Sequence, residues 1–133
     1  SQSAPADWSF AKELNTVEFQ LEEPVSSRTS WIMEHNNRIF IPSGYMNSTV
    51  GKIWKQWPMH AEKNGNALLR IDGQVFEVRM QRTKEAAVLA PILSELARKY
   101  MGMVPPIEDK VLAGMQQQVI SNNLWVFELV ERS

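Results

Sequence analysis

Ala67-Leu68-Leu69-Arg70-Ile71-Asp72-Gly73-Gln74-Val75-Phe76-Glu77-Val78-Arg79-Met80-Gln81-Arg82-Thr83 is the stretch on which the fold turns. Two apolar runs, 67–71 and 74–83, are joined by Asp72-Gly73 alone. A two-residue Asp-Gly link is the favoured tight hairpin turn, because both positions accept the positive φ that matches the twist of the flanking strands. On the second arm Phe76, Val78 and Met80 share one face, with Glu77, Arg79 and Gln81 opposite. That period of two marks a half-buried strand. Arg79, among polar residues on the outer face, is expected to make a cross-strand ion pair.

Upstream, Val17, Phe19 and Leu21 alternate with Glu18, Gln20 and Glu22, which predicts a strand. Glu23-Pro24 stops it, and Ser26-Ser27 are expected to prolong the break. A second hairpin is predicted from 30–34 and 38–42 around Asn36-Asn37, since asparagine tolerates positive φ. Ser48 is a fitting N-cap, followed by Val50, Ile53, Trp54 and Trp57 at helical spacing, with Pro58 closing that helix. Downstream, Leu89, Ile92, Leu93, Leu96 and Tyr100 form one helical stripe, ended by Gly102, with Pro91 in its first turn or at a kink. Ile107, Val111, Leu112, Met115 and Val119 form another. After Asn122-Asn123 comes a last strand, 124–131, whose opening Leu124-Trp125-Val126-Phe127 is apolar on both faces and so is expected to be central and doubly covered. Five to six strands joined mainly by hairpins favour an antiparallel barrel, closed or split, over a parallel sheet, with helices against its open side. Residues 1–14 read as an N-terminal tether and 15–133 as one domain, since 133 residues enclose a single core and not two.

Charge and composition remove several functions. Fourteen Lys and Arg nearly cancel fifteen Asp and Glu, so no global field draws nucleic acid or an anionic membrane, and any anion site must be local. With no cysteine, disulfides, thiolate catalysis and cysteine-ligated zinc or iron–sulfur centres are excluded. No G-x-S-x-G, G-x-G-x-x-G or G-x-x-x-x-G-K-[ST] pattern is present. The chain opens on Ser1, so an upstream segment is expected to have been removed. Membrane contact would come only through such a segment, and both cell envelope and cytoplasm remain open.

The chemistry-bearing residues concentrate between Arg28 and Asn64. Arg28-Thr29-Ser30, the Ser43-Gly44-Tyr45 turn, and Lys52 and Lys55 could together cradle a phosphate, using hydroxyls, exposed backbone N–H groups and ammonium charge. The lysines read equally as the solvated face of a helix. Trp54 and Trp57 could form flat walls for a ring system, or one of them could simply pack in the core. His35 suits a hairpin tip. His60 lies near Glu62 but in no ligand spacing, so no metal site is expected.

In these residues and in its order of elements, the chain resembles the flavin- or deazaflavin-dependent nitroreductase and quinone-reductase-like proteins of the FMN-binding split-barrel superfamily. Arg28-Thr29 matches the pair opening a hairpin strand, Ser43-Gly44 the phosphate loop, Trp57 the tryptophan, Asn64 the second of two spaced asparagines, and Asp72-Gly73 the hairpin turn. His60 stands in place of the first asparagine, and the loop between Gly44 and Trp57 is longer than usual, without a second adjacent glycine. The resemblance implies a mainly β, α+β fold, an antiparallel split β-barrel with helices packed against its open side. It implies a bound FMN or deazaflavin that carries hydride to a small quinone- or nitro-type acceptor. Arg28, Thr29, Ser43, Gly44, Lys52, Trp54, Lys55, Trp57, His60 and Asn64 would form the cofactor site, and the protein would pair as a homodimer. The altered loop and the substituted asparagine also fit a rival reading, a non-catalytic split-barrel binding module, envelope-associated or not.

Overall fold

The computed structural model describes residues 2, 3, 5, 7–47 and 55–132. Seven strands form one antiparallel sheet: β1 (Val17–Glu22), β2 (Val25–Ser30), β3 (Met33–His35), β4 (Arg38–Ser43), β5 (Asn66–Ile71), β6 (Gln74–Thr83) and β7 (Trp125–Glu131). Their spatial order is β2-β1-β5-β6-β7-β4-β3, and the sheet curls into a split barrel. Among the described residues three helices accompany it, α1 (Trp57–Lys63), α2 (Ala86–Tyr100) and α3 (Asp109–Ile120), with a 3₁₀ turn over Ser9–Glu13.

Both two-residue turns adopt the left-handed geometry expected of them. Asp72 and Gly73 have φ of 49° and 76°, and Asn36 and Asn37 have φ of 49° and 64°. In the second turn the Glu34 carboxylate, itself buried, accepts the Asn37 N–H at 2.9 Å. The Asn37 side-chain oxygen in turn accepts the Trp8 N–H.

The register places Phe19 opposite Leu69 and Leu69 opposite Phe76, so their rings and branches meet on one face. Ile39, Ile41, Phe127 and Leu129 complete this inner core, and Trp57 and Ala61 of α1 fill its mouth. Each large side chain so buried stabilises the fold by roughly 1.5–3 kcal/mol. Phe40 and Val126, which alternate with these in β4 and β7, point the other way, and with Met33 of β3 they pack against Leu89, Ile92, Leu93 and Leu96 of α2 and Val119 of α3. β4 and β7 are thus covered on both faces, as the apolar run 124–127 predicts.

Several expectations need correction. The serines after Pro24 do not prolong a break: Val25–Ser30 is β2, paired along its length with β1 and forming the sheet edge. An edge strand buries little, so its side chains carry no apolar alternation to betray it. Pro58 opens a helix where a stop is expected. It lies in the first turn of α1, where its missing N–H costs nothing. Of the helix predicted from Ser48 to Trp57, residues 48–54 lie outside the described residues, Lys55 and Gln56 are not helical, and Trp57 begins α1 where it is expected to end a helix. Pro91 sits inside α2, past its first turn. The segment read as a tether joins the structure well before residue 14. Trp8 and Ala11 are buried in the inner core, and Gln2 exchanges backbone hydrogen bonds with Val75 and Glu77 at 2.9 and 2.7 Å. Arg79 makes no ion pair among the described residues, because the register sets uncharged Asn66 and Val130 beside it.

Two further glycines are required, one by its backbone angle and one by lack of space. Gly102, at φ 68°, ends α2 and lets the Met103 N–H reach the Ala97 carbonyl at 3.2 Å. Any side chain on Gly65 would collide with the Met80 carbonyl.

Candidate functional site

β4 and β7 are neighbours, with Ser43 opposite Trp125, so the end of β4 and the approach to β7 open together at one end of the barrel. A cleft of about 480 Å³ lies there. Its polar side is formed by Thr29 and Ser30 at the end of β2, by Ser43 at the end of β4 and Gly44 after it, and by Lys55 before α1. Pro42, Trp57, Leu96 and Leu124 make apolar walls, and Trp31, Tyr45 and Met101 form a largely exposed rim.

Trp57 resolves the choice left open for it by being both core and wall. It is 7% exposed, packs edge-on to Phe19 with ring centres 4.9 Å apart, and lies 5.6 Å from Phe127. Lys55 is half-buried and donates from Nζ to the Gly44 carbonyl at 3.0 Å, with its ammonium 5.8 Å from the centre of the Tyr45 ring. Burial beside apolar walls lowers its pKa from the ordinary 10.5. It is the one charged side chain among the described lining residues. Tyr45 itself holds φ at 59°, a region a bulky side chain enters only when its surroundings impose it.

The surroundings do impose it. The Met46 N–H reaches the Asn123 carbonyl at 2.9 Å, the Asn47 N–H reaches Asn123 Oδ1 at 3.1 Å, and Asn47 Nδ2 reaches the Ser121 carbonyl at 2.7 Å. The Ser43 hydroxyl is buried and donates to Met46 Sδ at 3.4 Å. The turn after β4 is therefore pinned to the loop between α3 and β7. Arg82 braces that loop in turn: its guanidinium lies 3.5 Å from the Trp125 ring centre and bonds Glu62 at 2.9 Å and Asn122 at 3.0 Å.

The opposite wall is braced as well. Trp31 stacks flat on Tyr100, with ring centres 4.4 Å apart and planes within 4°. The Tyr100 hydroxyl donates to the Asn15 carbonyl at 2.8 Å and accepts the Ile32 N–H at 3.0 Å. Burial raises its pKa. Lys99 donates to the carbonyls of Leu14 and Ile32 at 2.7 and 2.6 Å; burial, then the neighbouring Arg98 charge, lowers its pKa.

Of the residues singled out from the sequence, the cleft assembles Thr29, Ser43, Gly44, Lys55 and Trp57. Arg28 lies outside it, opposite Phe19 in the register, and donates to the Ser27 carbonyl at 2.8 Å. His60 faces a separate hollow with Gln56, Met59 and Lys63. Asn64 ends α1, where its side-chain oxygen accepts the Asn66 N–H at 3.1 Å, a turn-forming role. Lys52 and Trp54 lie outside the described residues. Sequence reasoning missed Trp31, Leu96, Met101 and Leu124 as lining residues. Leu96 and Leu124 read only as core positions, and Met101 carries no signal at all. No cluster of three or more metal-ligating side chains occurs among the described residues.

No protein-family model matches the chain, and no curated protein is similar to it in sequence. Solved structures do share its fold. The conserved hypothetical protein Rv2991 of Mycobacterium tuberculosis superposes with a TM-score of 0.64 at 14% identity, covering 100% of this chain and 84% of that one. A protein assigned as a candidate pyridoxamine 5′-phosphate oxidase from Listeria innocua gives 0.57 at 7% identity, covering 94% and 90%. A candidate 5-nitroimidazole antibiotic resistance protein from Bacteroides thetaiotaomicron gives 0.55 at 11% identity, covering 99% and 84%. At these identities the likeness establishes the split-barrel fold.

Proposed function

We propose that the cleft holds an FMN or a deazaflavin, and that the protein is a reductase acting on a small quinone- or nitro-type acceptor. The observation that carries this reading is the convergence of Thr29, Ser43, Gly44, Lys55 and Trp57, distant in sequence, around one opening of a split barrel. The names of two structures with the same fold, which concern pyridoxamine 5′-phosphate and 5-nitroimidazoles, add support from compounds built on small heteroaromatic rings.

The residues present fit such a group. About 480 Å³ falls within the roughly 300–1,000 Å³ of ordinary ligand pockets. Trp57, Leu96 and Leu124 offer apolar surface to a flat ring, while Lys55 with the Thr29 and Ser30 hydroxyls would hold an anionic terminus. A bound flavin supplies the hydride chemistry, and the chain supplies position and electrostatics.

The test is titration of the purified protein with FMN and with a deazaflavin, followed by fluorescence quenching and thermal unfolding. At a hundredfold excess over Kd, binding should stabilise the fold by about 2.7 kcal/mol and raise Tm by on the order of 10 °C. Indifference to both cofactors would overturn the reading.

A second reading, a binding module without redox turnover, draws on one observation. The described lining residues include no carboxylate and no histidine, the side chains that most often move protons in catalysis. A protein that takes up FMN yet reduces neither quinones nor nitroarenes would favour it.

A further inference from the structure

We propose that Lys55 captures aromatic aldehydes by forming an imine inside the cleft. This inference shares the cleft with the flavin reading but does not rest on it, because it concerns the cofactor-free protein.

Imine formation needs three things that this site brings together. The nitrogen must be accessible to a ligand, and Lys55 lines a cavity large enough for a substituted aromatic ring. The nitrogen must be held in place, and the bond to the Gly44 carbonyl at 3.0 Å uses one N–H while leaving the remaining positions for a reactant. Finally, the amine must reach its neutral form, because only the lone pair attacks carbonyl carbon. The groups that favour the ammonium, the Gly44 carbonyl and the Tyr45 ring, carry no charge. No carboxylate lines the described cleft to hold the proton, and burial by itself disfavours the ammonium.

The preference for aromatic aldehydes follows from the walls. Trp57 presents an indole whose position is fixed by Phe19 and Phe127, and Trp31 presents a second, held by its stack on Tyr100. Such surfaces retain a flat ring better than an aliphatic chain. In the reaction the Lys55 lone pair attacks the aldehyde carbon and a C–N bond forms. Both amine hydrogens leave with the aldehyde oxygen as water, and C=N remains, so no oxidant or reductant is consumed.

The other described lysines lack this combination. Lys12, Lys63, Lys84 and Lys110 are exposed to water, which favours their charged form. Lys99 is half-buried, but its nitrogen is engaged by two carbonyls and lies outside the cleft lining.

The experiment incubates the flavin-free full chain with 1-naphthaldehyde and sodium cyanoborohydride at neutral pH, then maps adducts by mass spectrometry. The expected result is a single adduct on Lys55, formed roughly tenfold faster than on any exposed lysine, equivalent to about 1.4 kcal/mol. Propanal should show no such preference. Lys55→Arg, checked by circular dichroism to be folded, should lose the fast adduct. Label spread evenly over the lysines, equal selectivity with propanal, or a fast adduct that survives in Lys55→Arg would each overturn the proposal. Failure of FMN to bind would leave this result untouched, so the two readings fail separately.

Discussion

Lys55 and Lys99 flank the same cleft in opposite ways. Both are half-buried, and burial lowers the pKa of both. Yet Lys99 joins its helix to carbonyls 85 and 67 residues away in sequence, whereas Lys55 reaches back only 11 residues, to Gly44, and lines the cleft. Lys99 and Tyr100 together tie α2 to the end of the N-terminal segment and to the link between β2 and β3, so they behave as a structural clamp. Lys55 stands at the polar side of a cavity. Withdrawal from water, then, does not by itself mark a functional cation; what the ammonium touches decides.

The sharpest way to break this comparison is to exchange charges. Lys55→Glu should weaken FMN binding by roughly 10–100-fold, the equivalent of losing a charge-assisted hydrogen bond of about 1.5–3 kcal/mol. Lys99→Met, if folded, should change Kd by less than about threefold. Isothermal titration of both variants checks this, and equal losses would erase the distinction.

Stability should show the reverse order. Lys99→Met leaves the Leu14 and Ile32 carbonyls without their ammonium partner and should cost about 2 kcal/mol in urea unfolding. Lys55→Met, with its single carbonyl contact, should stay within about 0.5 kcal/mol of the parent. A smaller effect is expected at Tyr100→Phe, which removes one hydroxyl shared between Asn15 and Ile32 but keeps the stack on Trp31. It should cost about 1 kcal/mol by the same measurement.

The finest test is pH. Burial disfavours the Lys55 ammonium, so its neutral amine appears at lower pH than in an exposed lysine. Its acylation rate, followed by competitive labelling, should therefore reach its midpoint below 10.5. A midpoint at or above that value would contradict the burial argument.

Much of the fold was legible because it is local. Asp72-Gly73 and Asn36-Asn37 sit where only residues tolerant of positive φ can turn the chain, and the alternation in β1 and β6 reports one buried face each. The doubly apolar run in β7 reports two. β2 escaped because an edge strand of serine, threonine and arginine pairs through its backbone and buries almost nothing. Trp8 escaped because a single aromatic in a polar terminus has no period to reveal that it packs on Phe76, their ring centres 5.2 Å apart.

The site was legible only as a set of residue types. Hydroxyls, a glycine turn, a lysine and a tryptophan can be named from the chain, but Arg28, His60 and Asn64 belong to the same vocabulary and fall outside the cleft. What separated them was register and helix phase: Arg28 pairs opposite Phe19, His60 turns to a different hollow, and Asn64 spends its side chain on the turn into β5. Turn chemistry and apolar periodicity act over a few neighbouring residues, so the sequence by itself determined the strands other than β2, the two tight hairpin turns and the two long helices. The meeting of β2, the turn after β4, the start of α1 and the end of α2 around one opening depends on how a curled sheet closes across dozens of residues. Tertiary structure alone decided that, because long-range packing leaves no local pattern in the chain.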